Sequence, residues 1–100
     1  MQHVLEIFQS TTFQKWFRKL RNSQAQTRID ARIRRLSMGN AGDAKAVGGG
    51  VSELRINYGP GYRVYFTQRR LRVVVLLCGG DKRTQAGDIE RAIEIAKEWK

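Results

Sequence analysis

Four cations, a carboxylate and a phenol stand where a folded sheet can gather them: Arg55, Arg63, Lys82 and Arg83, with Glu53 and Tyr65. Lys82 and Arg83 lie in GGDKRTQAGDIERAI, residues 79–93, which closes an apolar strand and opens a helix at Asp88. Arg55, Arg63 and Tyr65 lie on two earlier strands. Guanidiniums present fork-shaped donors that match phosphate oxygens, so a face built from these residues suits a phosphodiester. Two guanidiniums on adjacent strands repel unless a carboxylate or a bound phosphate lies between them, and Glu53 is one such internal partner. Other reactive side chains are sparse. The single cysteine, Cys78, excludes an internal disulfide and a multi-cysteine metal site, and its distance in sequence from the only histidine, His3, leaves it as a packed strand residue.

The elements that must position these residues fit one domain, residues 1–100, with no Pro/Ser-rich linker and no repeat. The excess of 19 basic over 9 acidic residues, a net charge of +10, favours a polyanionic partner. A membrane is the weakest such partner, because the longest apolar run, residues 73–78, is far too short to span. The first ten residues, MQHVLEIFQS, carry Glu6 and lack a charged-then-apolar signal pattern, which points to a cytoplasmic protein.

Alternation over residues 3–8 predicts a first strand. Phe13, Trp16, Phe17 and Leu20 then follow the i, i+3, i+4, i+7 stripe of a helix capped by Ser10, Thr11 or Thr12. Ile29, Ile33 and Leu36 mark a second helix ending near Met38 and Gly39, so the two form a short-linked hairpin. Between Lys15 and Arg35 there are eight basic residues and one acid, Asp30. Arg28, Arg32 and Arg35 recur on one face at i, i+4, i+7, either as a solvated surface or as an electrostatic capture site for RNA.

Residues 39–50 hold five glycines without the spacing of a phosphate-binding loop and predict a flexible connection. Residues 51–58 and 62–66 alternate as two strands joined at Gly59-Pro60-Gly61, and residues 71–78 form a central strand covered on both faces. If Leu54, Ile56, Val64 and Phe66 face the helices, the period of two sends Arg55, Arg63 and Tyr65 to the opposite face with Glu53. The last helix, from Asp88 as N-cap, packs Ile89, Ala92, Ile93 and Ala96 on the sheet.

This order of elements, with GYRVYF at 61–66 and GDKRTQAGDIERA at 80–92, resembles the RelE/ParE superfamily of toxin–antitoxin toxins over nearly the whole chain. SELRINYGPGYRVYF at 52–66 and LLCGGDKRTQAGDIERAIEIA at 76–96 are similar to the branch called addiction module killer proteins, phage-derived RelE-like or HigB-like toxins. The resemblance implies an α+β fold: a small antiparallel sheet, an N-terminal helical hairpin on one side, a C-terminal helix packed on the sheet, and a concave basic cleft. It further implies cleavage of mRNA in the ribosomal A site without metal or other cofactor, by attack of the ribose 2'-OH on the adjacent phosphate. Arg63 matches the family arginine at the scissile phosphate and Arg83 the second, strand-end arginine. Arg55 takes one of two family lysine positions and Glu53 the other, where a carboxylate is either a general base or a neutralising partner. The family's C-terminal tyrosine falls near Ile89, so Tyr65, Lys82 or Asp88 would carry the proton.

The implied partners are a cognate helix-turn-helix antitoxin, mRNA and the ribosome, and operator DNA through the antitoxin complex. Two other readings share the sequence features: a ParE-like gyrase inhibitor without a nuclease centre, and a small nucleic-acid-binding module that cleaves nothing.

Overall fold

The computed structural model describes residues 4–99, so His3 and Lys100 lie outside the described residues. The chain runs through β1 (Glu6–Gln9), α1 (Thr11–Lys19), α2 (Ser23–Ser37), β2 (Ala44–Gly48), β3 (Val51–Ile56), β4 (Tyr62–Arg69), β5 (Val73–Asp81), a 3-10 turn (Lys82–Thr84) and α3 (Gln85–Glu98). It is an α+β fold on one five-stranded sheet of order β1-β5-β4-β3-β2. Three ladders are antiparallel, but β1 runs parallel to β5, so the sheet is mixed where a wholly antiparallel one was expected. The reason is the connection: two helices follow β1 and carry the chain back across one face before the meander begins.

The first two helices each begin on a side-chain cap. Ser10 accepts the Phe13 N–H at 2.9 Å and its own hydroxyl donates to the Leu77 carbonyl, which fixes the start of α1 against β5. Asn22 accepts the Ala25 N–H at 3.0 Å to start α2. The Gln26 amide donates to the Phe17 and Leu20 carbonyls at 3.0 and 3.2 Å, satisfying the frayed end of α1 from the side of α2. Both helices lie on the sheet face that carries Leu54, Ile56, Val64, Phe66, Val74 and Leu76. Burying each such side chain contributes about 1.5–3 kcal/mol, enough to hold helices whose own length is marginal.

The connection predicted to be flexible contains an edge strand. β2 pairs with β3, and Gly49 and Gly50 form the two-residue hairpin loop between them at φ of 62° and 77°. Both positions of such a loop demand positive φ, which glycine adopts without strain. Glycine richness thus marks a tight turn here.

The opposite face is covered by α3, whose Ala92 and Ala96 are buried over Val51, Val75 and Leu77. α3 starts at Gln85, three residues before the expected N-cap Asp88. The cap belongs instead to Asp81, which accepts the Arg83 N–H at 2.8 Å and forms a reciprocal box with Thr84 around the 3-10 turn.

A bulge on β5 matters for the site. Tyr65 pairs with Cys78 but Phe66 pairs with Leu76, so Leu77 is the extra residue and the alternation of β5 changes phase there. Leu77 and Cys78 both face α3, and Gly79 turns toward α1. A Cβ on Gly79 would lie 2.3 Å from the Trp16 ring, and one on Gly80 would lie 1.8 Å from Asp88 Oδ2. These two glycines let Trp16 and the start of α3 close on either side of one strand end.

Candidate functional site: a basic pocket backed by a buried glutamate

The face under α3 grades from apolar to charged along β3 and β4. Val51 and Thr67 pair at one end, Glu53 and Tyr65 in the middle, and Arg55 and Arg63 at the other. The first pairs lie beneath α3, whereas the last emerges beyond its N-terminus. A strand period of two and a helix too short to cover the whole sheet therefore convert sequence order into a depth gradient.

Glu53 is fully buried and fully engaged. Its Oε1 accepts from Arg55 Nε at 3.0 Å and lies 3.5 Å from Arg63 Nε. Its Oε2 accepts from the Tyr65 hydroxyl at 3.0 Å and from Gln85 Nε2 at 2.7 Å. Burial by itself would raise this carboxyl. The hydrogen bonds from Arg55, Gln85 and Tyr65, with the charge of Arg63, outweigh that and hold it below the ordinary carboxylate range. Arg63 Nε is close enough for charge pairing but lacks hydrogen-bond alignment, and Arg63 Nη1 donates to the Gly61 carbonyl at 3.0 Å. The hydrogen bond from Arg55 to Glu53 raises the guanidinium in turn.

In front of this cluster is an open pocket of about 370 Å3. Arg55, Arg63 and Lys82 line it with Asn57, Asp43 and the Gly59-Pro60-Gly61 turn. Three cations face one carboxylate, Asp43, across a space bounded by that turn, a charge arrangement that suits an anion. Among the described residues, no three His, Cys, Asp or Glu side chains group to hold a metal ion. A larger hollow of about 440 Å3 lies at the other end of β4 and β5 among Phe8, Arg69, Val73 and Trp99. It is more apolar, and Arg69 is engaged there by the Trp99 and Ala96 carbonyls, so the convergent charge is in the smaller pocket.

The remaining sequence candidates are placed differently. Tyr65 is completely buried behind Glu53, and burial with the Glu53 charge pushes its hydroxyl well above the ordinary phenol. It orients the carboxylate and does not line the pocket. Glu53 itself faces inward as the partner of two arginines, with its oxygens occupied, so the internal-partner alternative describes its geometry. Arg83 lies outside the pocket lining, 81% exposed on the 3-10 turn, where it pairs with Asp81 at 3.1 Å. Asp88 accepts from the Thr84 hydroxyl at 2.5 Å.

On α2, Arg28, Arg32 and Arg35 diverge. Arg32 is turned inward and donates to the carbonyls of Arg55, Ala41 at 2.9 Å and Asp43 at 3.2 Å. Desolvation, then the charge of Arg35, lowers its pKa. It is a clamp joining α2 to the loop before β2 and to β3. Arg28 lies over the Tyr58 ring at 4.5 Å, and Arg35 is exposed.

Gln85, Asp43 and Asn57 were not singled out in the sequence. Gln85 sits in a motif read as the approach to a helix, and Asp43 in a stretch read as a loose loop. Only Asn57 carried a usable signal, since it continues the alternation of Glu53 and Arg55 past the strand end.

The fold is that of an α+β protein with a basic pocket on a mixed five-stranded sheet. Over residues 15–100 the chain matches the model of phage-derived Gp49-like proteins (DUF891), and it belongs to that family, which is associated with toxin–antitoxin modules. A Haemophilus influenzae protein described as uncharacterized is 49% identical over 95 residues, covering 95% of this chain and 96% of its own. No solved structure matches. Among the described residues, no helix is long and apolar enough to cross a membrane.

Proposed function

We propose that this chain is the toxin of a toxin–antitoxin module, of the RelE/ParE kind, and that it cleaves mRNA at the pocket of Arg55, Arg63 and Lys82. The observation that carries the reading is the convergence of these three cations on one open pocket, with two of them fixed from behind by the buried Glu53. Membership of the Gp49-like family supports the toxin assignment. The scissile phosphate lies between Arg55 and Arg63, which neutralise charge as the phosphorane forms. Preorganised donors of this type lower a barrier by roughly 3–4 kcal/mol each.

The ribose 2'-oxygen attacks phosphorus as its proton passes to Asp43, the carboxylate on the pocket wall. The bond from phosphorus to the 5'-oxygen breaks, and Lys82 supplies the proton that the leaving oxygen takes up. The products are a 2',3'-cyclic phosphate and a 5'-OH end, formed with no cofactor. Arg83 reaches from the rim to the flanking backbone. The partners of this reading are the ribosome holding mRNA, a helix-turn-helix antitoxin, and operator DNA bound through the antitoxin complex.

The test is incubation of the purified protein with mRNA, free and in programmed ribosomes, followed by primer extension and analysis of new 3' ends. Cuts ending in cyclic phosphate and lost in Arg63→Ala are expected. Growth arrest on expression without any cut would overturn the nuclease reading and turn attention to gyrase.

A further inference from the structure

The anion pocket is continuous with a second hollow. Ile56 and Asn57 belong to both walls, and beyond them the second space, of about 260 Å3, is lined by Arg28, Ala31 and Arg32. Its contents differ in kind from the first. Arg28 has no carboxylate partner among the described residues, and its Cζ lies over the Tyr58 ring, 4.5 Å from the centroid. Tyr58 is fixed in turn by donating its hydroxyl to Gln24 Oε1 at 3.1 Å. The Asn57 side chain is exposed and hydrogen-bonds no other described residue.

Resting on the reading of the first pocket as a phosphodiester site, we infer that this second hollow is a nucleobase subsite for the nucleotide next to the bound phosphate. The Arg28 guanidinium, backed by Tyr58, offers its outer plane to an unstacked base, as arginine planes do in recognition of single-stranded RNA. The Asn57 amide offers both a donor and an acceptor at the border of the two hollows, where the edge of that base arrives. Arg32 contributes wall and positive potential, its Nη1 and Nη2 groups donating to backbone carbonyls. Uninterrupted lining from Lys82 through Asn57 to Arg28 gives an extended strand one path across the molecule. A free phosphate or a protein carboxylate would fill the first hollow and leave the second without a ligand. A single-stranded nucleic acid fills both.

The experiment compares two oligomers by fluorescence anisotropy: a short single-stranded RNA, 2'-O-methylated throughout to prevent cleavage, and a 2'-O-methylated sugar–phosphate chain of equal length without bases. Wild type is expected to prefer the base-bearing oligomer by roughly tenfold, the scale of one stacked base. In Asn57→Ala and in Arg28→Lys, which keeps the charge and removes the plane, that ratio should fall toward one. Equal affinity of wild type for both oligomers, with binding still lost in Arg63→Ala, would overturn the base subsite and leave the phosphate pocket standing. A ratio unchanged in both variants would overturn it as well. No binding of either oligomer, or binding indifferent to Arg63→Ala, would overturn the phosphate pocket itself.

Discussion

Arg55 stands directly across the β3–β4 ladder from Arg63, a like-charge cross-strand pair made tenable by one buried carboxylate, Glu53, within 3.5 Å of both guanidiniums. Like charges directly opposite destabilise a sheet unless something lies between them. Here the compensation comes from behind, leaving the forward side of both guanidiniums to the pocket. The arrangement couples the stability of the sheet to the chemistry of the site, and the predictions divide along that line.

Removing the compensation should be costly. Glu53→Ala leaves Arg55, Tyr65 and Gln85 without their acceptor and Arg63 without its charge partner, and breaking a buried charged cluster of this kind costs about 3–5 kcal/mol. Chemical denaturation should show a correspondingly lower midpoint. An undiminished midpoint would mean that the cluster does not support the fold.

The same carboxyl sets an acid limit. Its folded pKa lies below an unfolded value of about 4.3, so its contribution to stability is complete above that pH and is lost as pH falls through the folded value. The stability difference between wild type and Glu53→Gln should be constant near neutrality and shrink below about pH 4. A difference that grows on acidification would contradict the sign of the shift.

Pocket and rim arginines should separate in kinetics. Arg63→Ala and Lys82→Ala should each reduce single-turnover cleavage by about 100-fold or more, the scale for a lost transition-state donor. Arg83→Ala, on the rim and paired with Asp81, should act mainly on binding, with a smaller effect at saturating RNA. Equal losses for all three would place Arg83 at the scissile phosphate.

Gly79→Ala should destabilise by roughly 1–3 kcal/mol, since the added methyl meets the Trp16 ring at 2.3 Å and β5 has packed layers on both faces. Tryptophan fluorescence should shift with the displaced ring. A neutral melting temperature would require α1 to move away from β5 without cost.

Cys78 should resist labelling. Burial first, and the nearby charge of Asp88 second, push its thiol up to about 12. Iodoacetamide at pH 8 should modify the folded protein far more slowly than the protein in denaturant. Rapid labelling of the native chain would reveal an opening between α3 and β5.

Alternation was the most legible feature of the chain. A side-chain period of two requires only local backbone geometry, so residues 51–58 and 62–66 by themselves placed Glu53, Arg55, Arg63 and Tyr65 on one face and Leu54, Ile56, Val64 and Phe66 on the other. The helical stripe from Phe13 and the second helix through Ile29 and Leu36 were equally local and equally readable. Exposure along a shared face was not. Tyr65 and Arg55 obey the same alternation, yet one is sealed and the other lines a pocket, because α3 stops between them.

The parallel β1–β5 ladder, the bulge at Leu77 and the short β2 arise from pairings between distant segments, to which local periodicity is blind. The same limit applied to charge. Composition supplied the +10 balance, and spacing grouped Arg28, Arg32 and Arg35, but a cation becomes a clamp, a stack or a free charge only through what folds against it. Thus sequence alone determined the element types, the two faces of β3 and β4 and the sign of the surface, all set by neighbours along the chain. The tertiary structure decided which of those side chains are buried, paired or open, because burial and pairing depend on chain segments brought together only by folding.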